Sequence, residues 1–246
     1  MTKKQYVEII HSGHGLYWDM LGKLRGNERH SEDGLRWLTG DINYNYFAEP
    51  TSVEHIVKRM ENKEIPLNLL FVATLDKDPA VPFRATGLFK DGDLATGMAH
   101  PLMDTPLPKA DKRLNLFRVR EISQLKNAGA ILNAVFEYDL FTFGHYQEMM
   151  ENTGQFFYLA EYDGLPVGAC MAQHGENYVY ISWAGTLPGY RKRGIAGYLI
   201  QMAEKDGILN GKTTGAIHAR PEAIGAYKRI GFQPYCRIIK IEYKEQ

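Results

Sequence analysis

The second half of the chain contains three successive apolar runs of strand length. Residues 155–162 and 165–172 flank Asp163-Gly164, a pair typical of the turn in a β-hairpin. The third run, 179–186, is rich in β-branched and aromatic residues and ends at Leu187-Pro188-Gly189, which favours a turn. The pattern therefore predicts three consecutive strands, the last of which stops sharply.

A helix is predicted directly after that turn. Ile195, Leu199 and Met202 recur at helical spacing and face one way. The same patterns predict the remaining elements of this half, which are a strand at 116–122, helices at 125–136 and 146–152, a strand at 215–219, a helix between Pro221 and Gly231, and a strand at 235–243.

The first half has a mixed pattern of helices and strands. It predicts helices at 6–24 and 53–60, strands at 69–74 and 85–89, a turn at 91–93, and an edge strand or cleft cover at 37–47. Residues 104–113 are polar, carry two prolines and lack periodicity, as expected for a linker. We therefore divide the chain into modules at 1–113 and 114–246.

The turn before the helix at residue 195 has the composition of an anion site. Arg191, Lys192 and Arg193 are followed by a segment rich in small residues, which lets backbone N–H groups approach a phosphate closely. The positive end of the helix dipole favours the same charge. The alternative is an ordinary helix start with a solvated basic face.

These residues resemble a motif of the GCN5-related N-acetyltransferase (GNAT) family. Its pyrophosphate loop reads Arg/Gln-x-x-Gly-x-Gly/Ala, and residues 191–196 match it. The strand end at 184–186 is similar to the one whose backbone pairs with the pantetheine arm of coenzyme A. Residues 227–232 are similar to the family's Tyr-x-x-x-Gly-Phe signature. The order of elements over 114–246 also matches, so the resemblance implies an α/β GNAT fold with a mixed sheet, and a degenerate repeat of it at 1–113.

The resemblance implies an enzyme that transfers an acetyl group from acetyl-coenzyme A to a primary amine by direct attack in a ternary complex. The expected cofactor-binding residues are Ala184, Gly185, Thr186, Arg191, Lys192, Arg193, Gly194, Ile195, Ala196 and Gly197. The expected acceptor is a small-molecule or peptide amine, with a pocket wall from the aromatic segment 136–146. The alternative is an acyl-coenzyme A-binding or regulatory module without turnover.

Two residues are candidates for proton transfer. Tyr227 matches the tyrosine that serves in the family as general acid on the departing thiolate. A phenol, with a pKa of about 10, can protonate a thiolate whose thiol has a pKa near 8.5. Tyr227 can equally pack its ring on the core. No carboxylate lies where many members carry a glutamate, so His218 is a candidate base or else a hydrogen-bonded structural histidine.

The composition limits the classes of partner that we expect. The 246 residues include 29 Lys+Arg and 29 Asp+Glu, so no global field attracts nucleic acid or membranes. No apolar run approaches the roughly twenty residues that span a bilayer, and no signal-peptide core is seen, so we expect a cytoplasmic protein. Cys170 and Cys236 are expected to be buried thiols, no metal site is expected from the lone close pair His11 and His14, and a homodimer is left open.

Overall fold

The structure of the protein is a computed structural model that describes residues 1–104, 106, 111–137, 142–151 and 154–244. In chain order its elements are α1 (Lys3–Leu24), β1 (Glu28–Glu32), β2 (Leu35–Thr39), β3 (Tyr44–Ala48), α2 (Val53–Glu61), β4 (Asn68–Thr74), α3 (Val81–Ala85), β5 (Phe89–Pro101), β6 (Leu114–Arg118), α4 (Ile122–Phe136), α5 (Phe143–Glu151), β7 (Gln155–Tyr162), β8 (Leu165–His174), β9 (Tyr178–Thr186), α6 (Ile195–Leu209), β10 (Thr214–Ala219), α7 (Ile224–Arg229) and β11 (Gln233–Tyr243). The architecture is α/β with both parallel and antiparallel strand pairs, as expected.

The chain folds into two compact units. The first contains Met1–Ala99, His218–Gly225 and Gln233–Gln246, and the second contains His100–Ile217 and Ala226–Phe232. The backbone therefore passes between the units several times. The division into modules at 1–113 and 114–246 implies that each segment can fold on its own, and this stays a prediction.

In the first unit the strands follow the order β1-β2-β3-β4-β11-β5. The last strand of the chain, β11, pairs antiparallel with β4 on one side and with the first-unit part of β5 on the other. Ile238, Ile239 and Ile241 on β11 are buried. The first helix begins at a capping box, in which the Thr2 hydroxyl accepts from the Gln5 amide and the Gln5 side chain accepts from the Thr2 amide. Because β11 pairs on both sides and buries three isoleucines, the final strand completes the core of the first unit.

In the second unit the strands follow the order β10-β9-β8-β7-β6. The predicted hairpin is confirmed, because β7 and β8 pair antiparallel across Asp163 (φ 51°) and Gly164 (φ 79°), a backbone that Asp-Gly adopts readily. Gly185 packs on Val135 of α4, and Gly168 packs on Ile195 of α6. Gly185 pairs with Ala169, which follows Gly168 on β8. Because successive residues of a strand point to opposite faces, α4 and α6 cover opposite faces of this sheet.

Three predicted elements were wrong in type or extent. Residues 81–85 form α3, and the strand predicted at 85–89 begins only at Phe89. The turn expected at 91–93 lies inside β5, where pairing with β11 holds the backbone extended and a register shift absorbs the irregularity. The strand predicted at 116–122 ends at Arg118, because Glu121 caps α4 and exchanges hydrogen bonds with Gln124.

Candidate active site

The carboxyl end of β9 has a backbone edge that the second unit leaves unpaired. Parallel pairing with β10 runs along β9 only from Tyr178 to Ile181. On the other side, the register with β8 shifts so that Ser182 has no residue opposite. This irregularity coincides with the end of the parallel pairing, and bulges of this kind redirect a strand. The predicted strand end 184–186 therefore lies in a stretch that can pair with a ligand.

The turn between β9 and α6 exposes a run of unused backbone donors. A 3-10 turn at Pro188–Tyr190 is followed by Lys192 (φ 63°) and Gly194 (φ 77°), both in the left-handed region. Within the described part of the chain, the amides of residues 192–197 donate no hydrogen bond. Residues 191–194 are exposed. Such a cluster of N–H groups at the start of a 15-residue helix is suited to an anion.

The three basic side chains of the turn have different partners. Arg191 donates through Nε to the Thr186 carbonyl oxygen (3.2 Å), which ties the turn to the strand end. Arg193 donates through Nη1 to the Tyr162 hydroxyl (2.9 Å), and its guanidinium lies 4.8 Å from the centroid of that ring. Lys192 is exposed and makes neither an ion pair nor a side-chain hydrogen bond within the described residues. Its ammonium group can therefore reach a bound phosphate.

The glycines of the predicted site serve two different purposes. A Cβ at Gly185 would lie 2.6 Å from Val135 Cγ1, so this glycine lets α4 approach the sheet. A Cβ at Gly197 would meet Ile230 Cγ2 at 3.7 Å, an ordinary van der Waals contact, so close packing does not require a glycine at this position. Gly194 is needed for its positive φ, which a residue with a Cβ adopts at a cost.

Tyr227 belongs to a compact local motif. Its carbonyl oxygen accepts from the amides of Ile230 (3.1 Å) and Phe232 (3.2 Å), while Gly231 (φ 107°) ends the helix. The rings of Tyr227 and Phe232 are 6.2 Å apart, and Tyr227 is buried. The packing role considered for Tyr227 is therefore real. Its role as a proton donor stays a prediction.

His218 belongs to the first unit and lies among other histidines. Its ring is 4.7 Å from that of His14, and burial, followed by the charge of His11, lowers the pKa of His218 to about 3. Burial and Arg36 lower the pKa of His11 to about 4, and burial lowers that of His14 well below its usual value. A general base is most effective with a pKa near the working pH, so this environment favours the alternative of a structural histidine, and the role of His218 as a base stays a prediction.

The segment expected to wall the acceptor pocket is described in part. The rings of Phe136 and Trp183 meet edge to face at 4.6 Å, next to the irregular end of β9. Tyr146 is buried and donates its hydroxyl to Asn133 Oδ1 (2.9 Å). Glu137 ends α4 in the left-handed region. Residues 138–141 of this segment lie outside the described residues.

Both thiols are buried and unlinked, as predicted. Burial raises the pKa of Cys236 to about 12 and raises that of Cys170 further, so neither is poised as a nucleophile. Among the described residues, no group of three or more His, Cys, Asp or Glu side chains is arranged to hold a metal ion. None of the helices described here is both long and apolar enough to traverse a bilayer.

Comparison with known proteins shows what this chain is similar to. A sequence model of the acetyltransferase (GNAT) domain matches residues 121–237. The chain is similar to a GCN5-related N-acetyltransferase from Kribbella flavida, with a TM-score of 0.66, 16% identity and coverage of 96% of this chain and 95% of that one. It is also similar to one from Sphaerobacter thermophilus, with a TM-score of 0.65, 15% identity and coverage of 86% and 77%. A search of curated sequences found no match. At these identities the structural likeness shows a shared fold.

Proposed function

We propose that this chain, whose residues 121–237 match a sequence model of the acetyltransferase (GNAT) domain, transfers an acetyl group from acetyl-coenzyme A to a primary amine. The observation that supports this most directly is the run of unused amides at 192–197 beside the unpaired end of β9. Unused backbone amides can bind a diphosphate, and an unpaired strand edge can pair with an extended chain of amides.

The residues present fit coenzyme A. The exposed turn offers backbone N–H groups, the positive end of the α6 dipole and the ammonium of Lys192, which together suit a diphosphate. The backbone of 184–186 offers donors and acceptors for the pantetheine amides. When bound, acetyl-coenzyme A supplies the activated acetyl thioester.

The chain's own groups then account for two of the chemical requirements. Backbone N–H groups near 184–186 polarise the thioester carbonyl and stabilise the negative charge that develops on its oxygen. The Tyr227 hydroxyl holds a proton for the departing sulfur. Because Cys170 and Cys236 are buried with raised pKa values, we favour direct attack by the amine over an acyl-enzyme. We assign no side chain to deprotonation of the amine.

We propose a small-molecule or peptide amine as acceptor. The edge-to-face contact of Phe136 and Trp183 supports a pocket wall next to the reacting end of β9. Aromatic walls exclude water from an acyl-transfer site and position the alkyl part of an amine.

A charge introduced at residue 194 tests the proposed function. Gly194→Glu places a carboxylate among the phosphate-binding amides and should weaken coenzyme A binding at least about a hundredfold, by like-charge repulsion and loss of space. Isothermal titration calorimetry with acetyl-coenzyme A measures this. Gly211→Glu is the matched control, because Gly211 has nearly the same φ (74° against 77°) at the other end of α6 and open space around it.

The control separates backbone strain from ligand contact. If Gly194→Glu and Gly211→Glu bind acetyl-coenzyme A equally well, the assignment of the phosphate turn is wrong. If both lose binding together with their fold, the comparison is repeated with Lys192→Glu, whose exposed side chain makes no ion pair or hydrogen bond among the described residues.

A second candidate is a module that binds acyl-coenzyme A without turnover. The observation in its favour is the deep burial of His218, which weakens the one base that the sequence suggested. A thiol-release assay with a panel of amines distinguishes the two functions. Binding with no release above the rate without protein, for any amine, favours the module.

A further inference from the structure

A small pocket in the second unit lies apart from the phosphate turn. Its volume is about 90 Å³, and it is bordered by His100, Leu102, Glu204, Ile208 and Ile230, among other residues. Glu204 and Ile208 lie in the last turns of α6, whereas the phosphate turn precedes the first. At a rise of about 1.5 Å per residue, Glu204 is roughly 15 Å along the helix from Gly194.

The polar base of this pocket is a histidine-carboxylate pair. His100 Nε2 lies 2.6 Å from Glu204 Oε1, and the two side chains are only 12% and 6% exposed. Burial raises the pKa of Glu204, and the hydrogen bond with His100 opposes that rise. Within the described part of the chain, His100 is the only group in ion-pair distance of this carboxylate.

The backbone around the pair is shaped to admit it. A Cβ at Gly215 would collide with Glu204 Oε1 and would lie 2.9 Å from His100 Nε2. A Cβ at Gly231 would lie 2.9 Å from His100 Nδ1. Phe232 supports the imidazole from one side, with ring centroids 4.3 Å apart. Two positions without a side chain thus make room for one imidazole and one carboxylate.

The pair leaves one ring nitrogen for a ligand. A carboxylate only accepts hydrogen bonds, so we assign the shared proton to Nε2. The other nitrogen, Nδ1, has no hydrogen-bond partner among the described residues and is not sealed from solvent. A carboxylate that orients an imidazole in this way makes the opposite nitrogen a good acceptor.

We propose that this pocket binds a small primary ammonium compound, which donates to His100 Nδ1 and is attracted by the negative charge of the Glu204 carboxylate on the other side of the imidazole. Among the described residues, the charged lining side chains are Asp104, Glu204 and Lys205. Asp104 and Lys205 are exposed, so the carboxylate of Glu204 is the negative group that is buried. Leu102, Ile208 and Ile230 offer apolar surface to a short alkyl group. The volume exceeds what a single water needs, so the pocket has room for a ligand of a few non-hydrogen atoms.

This site goes beyond acetyl transfer and does not depend on it. A ligand there would touch α6 at the end opposite the phosphate turn. The proposal concerns binding alone, and it is tested by a measurement that requires no activity.

The test is an NMR titration of the full-length protein with n-propylammonium chloride at constant ionic strength. Propionate and 1-propanol serve as an anion and a neutral molecule of the same size. We expect saturable shifts of the His100 ring and of the Ile208 and Ile230 methyl groups with propylammonium only. Glu204→Gln should weaken binding about tenfold or more, because it removes the negative charge that attracts the ammonium and keeps the shape of the side chain.

The matched control is Lys205→Gln, next to Glu204 in the sequence and exposed, which should bind propylammonium at least as tightly as the wild type. Absence of saturable shifts, equal or better binding of propionate, or unchanged affinity in Glu204→Gln would each overturn the proposal. If Glu204→Gln fails to fold, the comparison of the three ligands on the wild type decides alone. Acetyl-coenzyme A binding, measured on the same samples, reports separately on the proposed function.

Discussion

At the scale of single residues, the arginines of the phosphate turn hold the turn in place with their side chains. Arg191 donates through Nε to the Thr186 carbonyl and Arg193 through Nη1 to the Tyr162 hydroxyl, so each guanidinium positions the turn and keeps other N–H donors for a phosphate. The sequence predicted the place of this turn because small and basic residues follow a strand end. It did not predict the His100-Glu204 pair, because the two residues are 104 positions apart and share no local pattern.

Replacing Tyr227 by phenylalanine removes the proposed proton donor and keeps the ring. We expect turnover to fall about a hundredfold, the lower end of the usual effect of a general acid, with affinity for acetyl-coenzyme A unchanged. Steady-state kinetics and calorimetry measure the two quantities. Tyr158→Phe is the control, since it removes a buried hydroxyl that donates to Asp206 in the same unit. Equal turnover in the Tyr227→Phe and parent proteins would remove the catalytic role.

The histidines of the first unit predict a loss of stability in acid. The pKa values of His11 and His218 are lowered to about 4 and 3, below the ordinary value of 6.5 that applies to the unfolded chain. As the pH falls from 6.5 towards 4, the unfolded chain therefore takes up protons that the folded protein does not. The free energy of unfolding should be highest above pH 6.5 and should decrease through this range.

Urea unfolding at pH 7.5, 6.0 and 5.0 measures that decrease. His14→Gln removes one buried member, whose pKa is also lowered, and should flatten the dependence on pH. His55→Gln changes an exposed histidine and should leave the slope as it is. The same slope in both variants would show that other groups govern acid stability.

At the scale of elements, packing and pairing decided what local patterns left open. The hairpin of β7 and β8 was predicted correctly because Asp163-Gly164 fits the turn without tertiary help. The turn predicted at 91–93 was wrong, because pairing with β11 keeps that segment extended. The position of α4 rests on Gly185, whose lack of a side chain admits Val135. No local sequence pattern predicts such a contact.

Adding a methyl group at residue 185 tests how closely α4 packs on β9. A Cβ there would lie 2.6 Å from Val135 Cγ1, so Gly185→Ala should destabilise the protein by about 1–3 kcal/mol, as overpacking does. Gly189→Ala, three residues beyond the strand, has nothing within 4 Å of the new Cβ and should change stability by less than about 0.5 kcal/mol. Chemical denaturation compares them. Equal stability would mean that α4 can shift without cost.

At the scale of the whole molecule, each compact unit is built from segments that are separate in the sequence. Part of the linker predicted at 104–113 lies outside the described residues. Two of its described residues, Asp104 and Pro106, border the pocket of the second unit. Periodicity found most of the strands but could not assign β11 to its partners, because pairing over that separation depends on the complete core. The degenerate repeat in residues 1–113 stays a prediction, as do a homodimer and a cytoplasmic location.

Expression of residues 114–246 alone tests the predicted second module. Its β11 would lack β4 and β5, and Ile238, Ile239 and Ile241 would lose the cover that buries them. We expect a fragment that aggregates or unfolds without a cooperative transition, whereas the full chain unfolds cooperatively. Circular dichroism during thermal unfolding and gel filtration measure this. A monomeric fragment with a sharp transition would instead establish residues 114–246 as an independent module.

The pairing of β11 with β4 and β5 also sets an order of events during synthesis. The first unit cannot close until the ribosome has released its final strand, and the whole second unit is translated in the meantime. The usual course, in which an amino-terminal domain folds before the rest has been made, is therefore not open to this protein. Until then, the edges of β4 and β5 that pair with β11 stay uncovered, and unpaired edges of this kind can pair with another chain.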